Sequence, residues 1–495
     1  MGKHKVDKDL KKITKFQSGL GNSQSVQLGS LAFSLLFLVA VFAYAMMQQN
    51  ANEMGLFVVA AAVIGGYMAM NIGANDVANN IGPAVGSKAL TMFGALIIAA
   101  IFEAAGALLA GGDVVSTIKN GIIDPAQIGS STIFIWAMIS ALLAAALWLN
   151  LATWVGAPVS TTHSIVGGVM GAGIAAAGMA SVSWGVMGKI AASWVISPVL
   201  GGLIAAAFLF TIKKTVLYKE DKITAAKRWV PIMVGIMAGA FGMYLAMKGL
   251  KKIWKVDTLG LWSIGLGSLV LAWLISKPIV AKAANKMENR KKSVTKLFTI
   301  PLIFSAALLS FAHGANDVAN AVGPLAAVVS SVQDGNIEGK VAIPIWVMMI
   351  GALGISIGLM LYGPKLIRTV GEQITKLNQI RAFCVALAAA ITVIIASWQG
   401  LPVSSTHIAV GGVFGVGFLR EYLKNKSSRE RVIAAAIDDT GPAVKQISAK
   451  KSEKRKLVRR SHLLNIVLAW VLTVPLAALL AAVIFYIIEG MSAAV

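Results

Sequence analysis

The sequence predicts an all-α polytopic membrane protein whose two halves are inverted copies of one unit, and three observations predict it. Of 495 residues, 57% are hydrophobic and 13% charged, against about 45–50% apolar and about 25% charged in an ordinary soluble domain. Apolar runs of the roughly 20 residues that a bilayer core requires recur along the chain. Two distinctive blocks of sequence occur twice, in the same order. A water-soluble globule is thereby excluded. With Cys384 as the one cysteine, no intramolecular disulfide and no Cys-based zinc or redox site can form, so the structure has to come from helix packing.

Thirteen segments qualify as spans, near 27–47, 54–72, 90–110, 132–153, 160–180, 183–211, 229–247, 257–275, 298–312, 341–362, 381–397, 403–419 and 462–488. Those at 298, 381 and 403 are short, which predicts tilted, broken or re-entrant helices. The net charge of +23 would suggest a nucleic-acid partner in a soluble chain. Here it follows the rule that cytoplasmic loops collect Lys and Arg, so no nucleic acid is expected. Lys3, Lys5, Lys8, Lys11, Lys12 and Lys15 put the N-terminus in the cytoplasm, and alternation puts the basic segments 213–228, 277–296, 363–380 and 420–461 there too. Only Lys248, Lys251, Lys252 and Lys255 run against the rule. The first span is too long for a signal peptide and lacks a small-residue cleavage site, so it reads as a retained anchor in a multi-pass protein of the cytoplasmic membrane.

GANDVANNIGP at Gly73–Pro83 returns as GANDVANAVGP at Gly314–Pro324, nine of eleven positions being identical. WVGAPVSTTHSIVGGVMG at Trp154–Gly171 returns as WQGLPVSSTHIAVGGVFG at Trp398–Gly415. The predicted organisation is a basic N-terminus with an extra anchor helix (1–53), a first repeat (54–212), a central linker with two spans (213–297), a second repeat (298–420), a basic cytoplasmic loop (421–461) and a C-terminal helix (462–495). Seven spans separate the two GANDVAN copies, and an odd number reverses direction. The first copy is therefore expected to start at the cytoplasmic face and the second at the outer face. Inverted repeats with interrupted helices around a central site are the architecture of secondary transporters.

Asn, Asp, Gly and Pro are poor residues for a lipid-facing helix, and a buried carboxylate is costly unless paired. Their exact duplication marks Asn75, Asp76 and Asn79, with Asn316, Asp317 and Asn320, as oxygen donors for a hard cation such as Na⁺, or as carboxylates able to take a proton. Helix capping or kinking is the alternative. Pro158 and Pro402 precede the hydroxyl triplets Ser160, Thr161, Thr162 and Ser404, Ser405, Thr406. Each triplet opens a Gly-rich helix, whose free N–H groups and positive dipole end favour an anion. His163, His313 and His407 lie in or beside the repeats, as structural residues or as a proton relay. Glu103 is an intramembrane acid with no counterpart in the second half, either functional or paired with a lysine such as Lys88. The segment 420–460 reads as a solvated loop, with lipid-headgroup recognition as the lesser alternative. No enzyme signature is present, and the GVMGAG and GVFGVG runs read as close helix packing.

These two blocks make the chain resemble the PiT, or Pho-4, inorganic phosphate transporter family, from about residue 54 onwards. The resemblance implies symport of inorganic phosphate by a homodimer with twelve core spans per protomer, to which the N-terminal anchor adds a thirteenth, and no cofactor. GANDVAN with FEAAG and STIKNGIID resembles the sodium-coupled branch. By matched position, Asp76 and Asp317 with Asn75, Asn316, Asn79, Asn320 and Glu103 would serve the cation and phosphate, Na⁺ lying at Asp76 and Asp317. Ser160, Thr161, Thr162, Ser404, Ser405 and Thr406 would hold phosphate. Ala386 stands where sodium-coupled members often carry a second glutamate, which leaves H⁺ open as coupling ion. The alternatives are a proton-coupled carrier of metal-phosphate or of another oxyanion such as sulfate and, from a different class, an anion channel.

Overall fold

The computed structural model describes residues 27–48, 53–155, 159–249, 256–334, 343–373, 377–438 and 460–493. The N-terminal lysines, Pro158, Lys251, Lys252, Lys255 and most of the 421–461 loop lie outside them. Apart from one isolated bridge between Ile123 and Val182, the described residues form helices and connections only. In chain order the helices are α1 (Gln27–Gln48), α2 (Glu53–Gly86), α3 (Met92–Ala110), the short α4 (Gly112–Asn120), α5 (Ser131–Val155), α6 (Thr161–Ala177), α7 (Trp184–Ile212), α8 (Lys222–Lys248) and α9 (Thr258–Ala284). There follow α10 (Lys291–Leu297), α11 (Thr299–Asp317), α12 (Ala319–Asp334), α13 (Ile345–Gln373), α14 (Gln379–Trp398), α15 (Ser405–Asp438) and α16 (Arg460–Ala493).

Among the described residues, all thirteen expected segments are largely helical, and eleven helices are long and apolar enough to cross a membrane. α6, with 17 residues, pairs with α5 as a hairpin, and α15 pairs likewise with α14. A hairpin adds an even number of crossings, so the odd count between the GANDVAN copies and the inversion both stand. The depth of the motifs differs from expectation. The first copy lies inside α2, a single helix of 34 residues, and not at its cytoplasmic end. The second straddles a break at Val318 between α11 and α12, inside one apolar stretch that spans Thr299–Gln333. In α2 the polar residues do not end the helix, because hydroxyls of the opposing hairpins satisfy them within the protein interior.

The two repeats interleave. α13 of the second half packs along α2 of the first, and α3 of the first along α11 of the second. At both crossings the backbones touch through glycine. A Cβ on Gly73 or Gly358 would run into the carbonyls of Ile355 or Met70, and one on Gly106 or Gly314 into those of Phe311 or Glu103. The Gly-rich runs do the same for the hairpins, α6 lying against α16 and α15 against α7. The unduplicated α8 and α9 pack chiefly on each other, and one face of α9 stays outside the protein with Leu259, Trp262, Leu266 and Leu271 exposed, as suits contact with lipid. Their basic ends, expected from loop charge to face the cytoplasm, are joined by Lys227 Nζ to Asn285 Oδ1 at 2.6 Å.

Gly106→Ala should therefore force α3 from α11 and lower stability by about 1–3 kcal/mol. Gly267→Ala, on a part of α9 where nothing lies within 4 Å, should leave stability level or raise it. Thermal unfolding of the two purified variants in detergent checks the contrast.

Candidate functional site

α6 and α15 begin in the protein interior because their caps are supplied by the first hydroxyl of each triplet. Ser160 Oγ accepts from the backbone N–H of His163 at 3.1 Å, and Ser404 Oγ from that of His407 at 3.3 Å. Ser160 and Ser404 thus hold the helix starts, while Thr161, Thr162 and Thr406 turn to the carboxylates and to the opposite repeat. All six are buried.

Thr161 Oγ1 lies 2.9 Å from Asp76 Oδ2 and 3.2 Å from Asp317 Oδ2. A hydroxyl has one proton, so it donates to one carboxylate at a time and ties the two together. Thr406 donates to Asp76 Oδ1 at 2.8 Å and accepts from Asn79 Nδ2 at 2.7 Å. Asn320 Nδ2 lies 3.3 Å from both Thr161 and Thr162, and Thr162 donates to the Val403 carbonyl at 3.0 Å. Each GANDVAN motif therefore grips, through its second Asn, the hydroxyls of the other repeat.

His313 joins the acids. Its Nε2 is 3.1 Å from Asp317 Oδ2 and 3.7 Å from Asp76 Oδ2, and its Nδ1 is 3.2 Å from Glu103 Oε2. Glu103 Oε1 accepts from Asn80 Nδ2 at 2.8 Å. Lys88, the structural partner considered for Glu103, is exposed and makes no such pair. Asp76, Glu103, His313 and Asp317 are all 1% exposed or less. One ligand atom from each of Asp76, His313 and Asp317 falls within 4.8 Å of the others, a cation-sized cluster. The second crossing is apolar. Since Gly314 meets Glu103 where Gly73 meets Ile355, Ile72 and Ile355 stand in the places of His313 and Glu103.

Several buried polar atoms in this cluster have no protein partner among the described residues, namely Asp317 Oδ1, Asn320 Oδ1, Asn75 Oδ1 and Ser405 Oγ. Orphaned oxygens of this kind are what an ion, an anion or water occupies. Asn75 and Asn316 stand to either side. Asn316 donates to Ser397 Oγ at 2.9 Å and to the Leu401 carbonyl at 3.1 Å, and accepts from the Val403 N–H at 3.2 Å. Asn75 donates to Thr153 Oγ1 at 3.1 Å. Behind the triplets the rings of His163 and His407 pack edge to face at 4.5 Å, with Trp194 3.8 Å from His163.

All the motif residues singled out in the sequence converge here, with Asn75 and Asn316 bound to the hairpins at its edges. Sequence reasoning ranked His313 as structural, and it passed over Asn80, Thr153 and Ser397. The last two were detectable, since they share the 244-residue offset of the second block.

Interleaved inverted repeats, helix starts in mid-membrane and a buried carboxylate pair between them define a secondary transporter, here a multi-pass membrane protein. The chain matches the model of the "Phosphate transporter family" over residues 72–481, and it belongs to that family. A Helicobacter pylori protein named as a phosphate permease is 48% identical, the match covering 96% of this chain and 98% of the relative. A Pyrococcus abyssi protein named likewise is 36% identical over 88% and 99%. A solved structure titled as the sodium-dependent phosphate transporter is 34% identical with a TM-score of 0.76, covering 88% of this chain and 99% of that one.

Thr161→Val removes the one hydroxyl shared by the two aspartates, and hydrogen bonds to charged groups contribute about 1.5–3 kcal/mol. Phosphate uptake should fall by about tenfold to a hundredfold on that basis, whereas Thr161→Ser should keep most of it. Initial uptake rates of the two variants in vesicles decide.

Proposed function

We propose that the chain imports inorganic phosphate together with Na⁺, the cation lying between Asp76 and Asp317 and the anion at the starts of α6 and α15. One observation carries this reading: three buried carboxylates face a single imidazole. Such a site repels an anion until a cation enters, which makes binding of the two obligatory partners. The unpartnered oxygens of Asp317 and Asn320 suit a hard cation. The Ser405 hydroxyl and the N–H groups of the two helix starts suit phosphate. In this reading the cation draws in phosphate, the loaded site loses most of its charge, and the hairpins then rock against the interleaved helices to expose it on the other side. The sodium named for the solved relative supports Na⁺.

H⁺ is the second reading. It is favoured by His313, whose two nitrogens approach three acids and so offer a proton a place beside the aspartates.

Proteoliposomes given labelled phosphate and an inward Na⁺ gradient should accumulate it above equilibrium and stop when the gradient is collapsed. Accumulation driven by a pH gradient alone selects H⁺, and uptake indifferent to both overturns symport. Asp76→Asn and Asp317→Asn should each cut Na⁺-driven accumulation by at least about tenfold, equivalent to about 1.4 kcal/mol. Normal coupled uptake by both variants removes these residues from the cation site.

A further inference from the structure

The tip between α14 and α15 is tied down from four helices. α11 binds it through Asn316. α4 binds it through Thr117, which donates to the Gly400 carbonyl at 2.7 Å. α7 binds it through Trp194 Nε1 to the Pro402 carbonyl at 3.1 Å. α8 contributes Lys248, whose ammonium reaches the Trp398 carbonyl at 3.4 Å and forms an ion pair with Asp113 of α4.

Lys248 stands at the end of α8 away from the basic cytoplasmic face, and its side chain is 8% exposed, against 44% for Asp113. A recess of about 330 Å³, lined by Asp113, Met247, Lys248, Val256, Leu261 and Trp398, opens beside the pair. The recess thus reaches the more exposed partner, Asp113, and the ion pair forms part of its wall. The charge that ran against the cytoplasmic rule thus has a local reason. It is neutralised by an acid of the first repeat and braces a hairpin of the second. α8 and α9 lie outside the duplication, so the brace joins an unduplicated helix to both repeats.

We propose that Lys248 and Asp113 are positioning residues that keep the outer route to the Asp76–Asp317 site shut, and that their separation is a required part of opening it. The inference rests on the transport reading above, but its test does not depend on which anion is carried. Asp113→Asn leaves the Lys248 ammonium, 8% exposed, without its counter-charge, and Lys248→Met frees both Asp113 and the Trp398 carbonyl, so either change destabilises the closed arrangement relative to the open one.

The experiment places a cysteine at Leu401, at the braced tip, in a Cys384→Ala background of the full chain. The rate of modification by a membrane-impermeant thiol reagent is read in right-side-out vesicles without phosphate. Lys248→Met and Asp113→Asn should each raise that rate by at least about fivefold through a shift toward the open state. The exchanged pair Asp113→Lys/Lys248→Asp should return it toward the parent value, and Asp113→Glu should leave it low. Unchanged labelling in the single variants overturns the proposal. So does an exchanged pair that labels as fast as they do, because that outcome reports lost packing and not a lost pair. If the parent fails to take up phosphate while labelling still follows the ion pair, the substrate reading fails and the gate stands.

Discussion

Asp76, Glu103 and Asp317 are buried in the middle of a helical membrane protein, where an isolated carboxylate would cost many kcal/mol. The rest of the architecture answers to that burden. Three acids require hydrogen-bond donors at mid-membrane, and a continuous helix has none to spare, because its backbone N–H groups are already engaged. Helices that begin there do. The starts of α6 and α15, their hydroxyl triplets, the second Asn of each GANDVAN motif and His313 together supply donors to the carboxylates and to the oxygens that line them. Hairpins in place of simple crossings follow from this demand.

A helix start in mid-membrane needs a firm setting, and the interleaving of the repeats provides one. Because α2 lies against α13 and α3 against α11, neither half forms a core without the other. Glycine at the crossings lets backbones approach within van der Waals contact, which fixes the depth of Asp76 and Asp317 relative to each other. The hairpins are backed by α16 and α7, and the tip between α14 and α15 is held in addition by α4, α8 and α11.

Much of this was legible in the sequence because it is encoded locally or by repetition. Apolar length marked every span, and the duplicated blocks marked the carboxylates and the hydroxyl triplets. The depth of the motifs was not legible. Asn, Asp and Gly within a span look like a helix end until the donors that satisfy them are known, and those donors sit about 85 residues away at Thr161 and 330 away at Thr406. The role of His313 was hidden for the same reason, since its partners Glu103 and Asp76 belong to the other half. Lys248 read as an exception to a statistical rule of loop charge, and its explanation, Asp113, lies 135 residues earlier. Pattern reveals what is periodic or copied, whereas pairwise polar contacts across a fold leave no local trace.

The apolar pair Ile72 and Ile355 occupies one glycine crossing, and the polar pair His313 and Glu103 the other. A chain with perfect twofold symmetry would have two conformations related by that axis, one open to each side, of equal free energy, and would rest half in each. Placing an imidazole and a carboxylate in one crossing and hydrocarbon in the other removes that degeneracy. The two orientations are then chemically different states, and their ratio without ligand becomes a property that substitutions at Ile72 and Ile355, away from the carboxylate cluster, can tune.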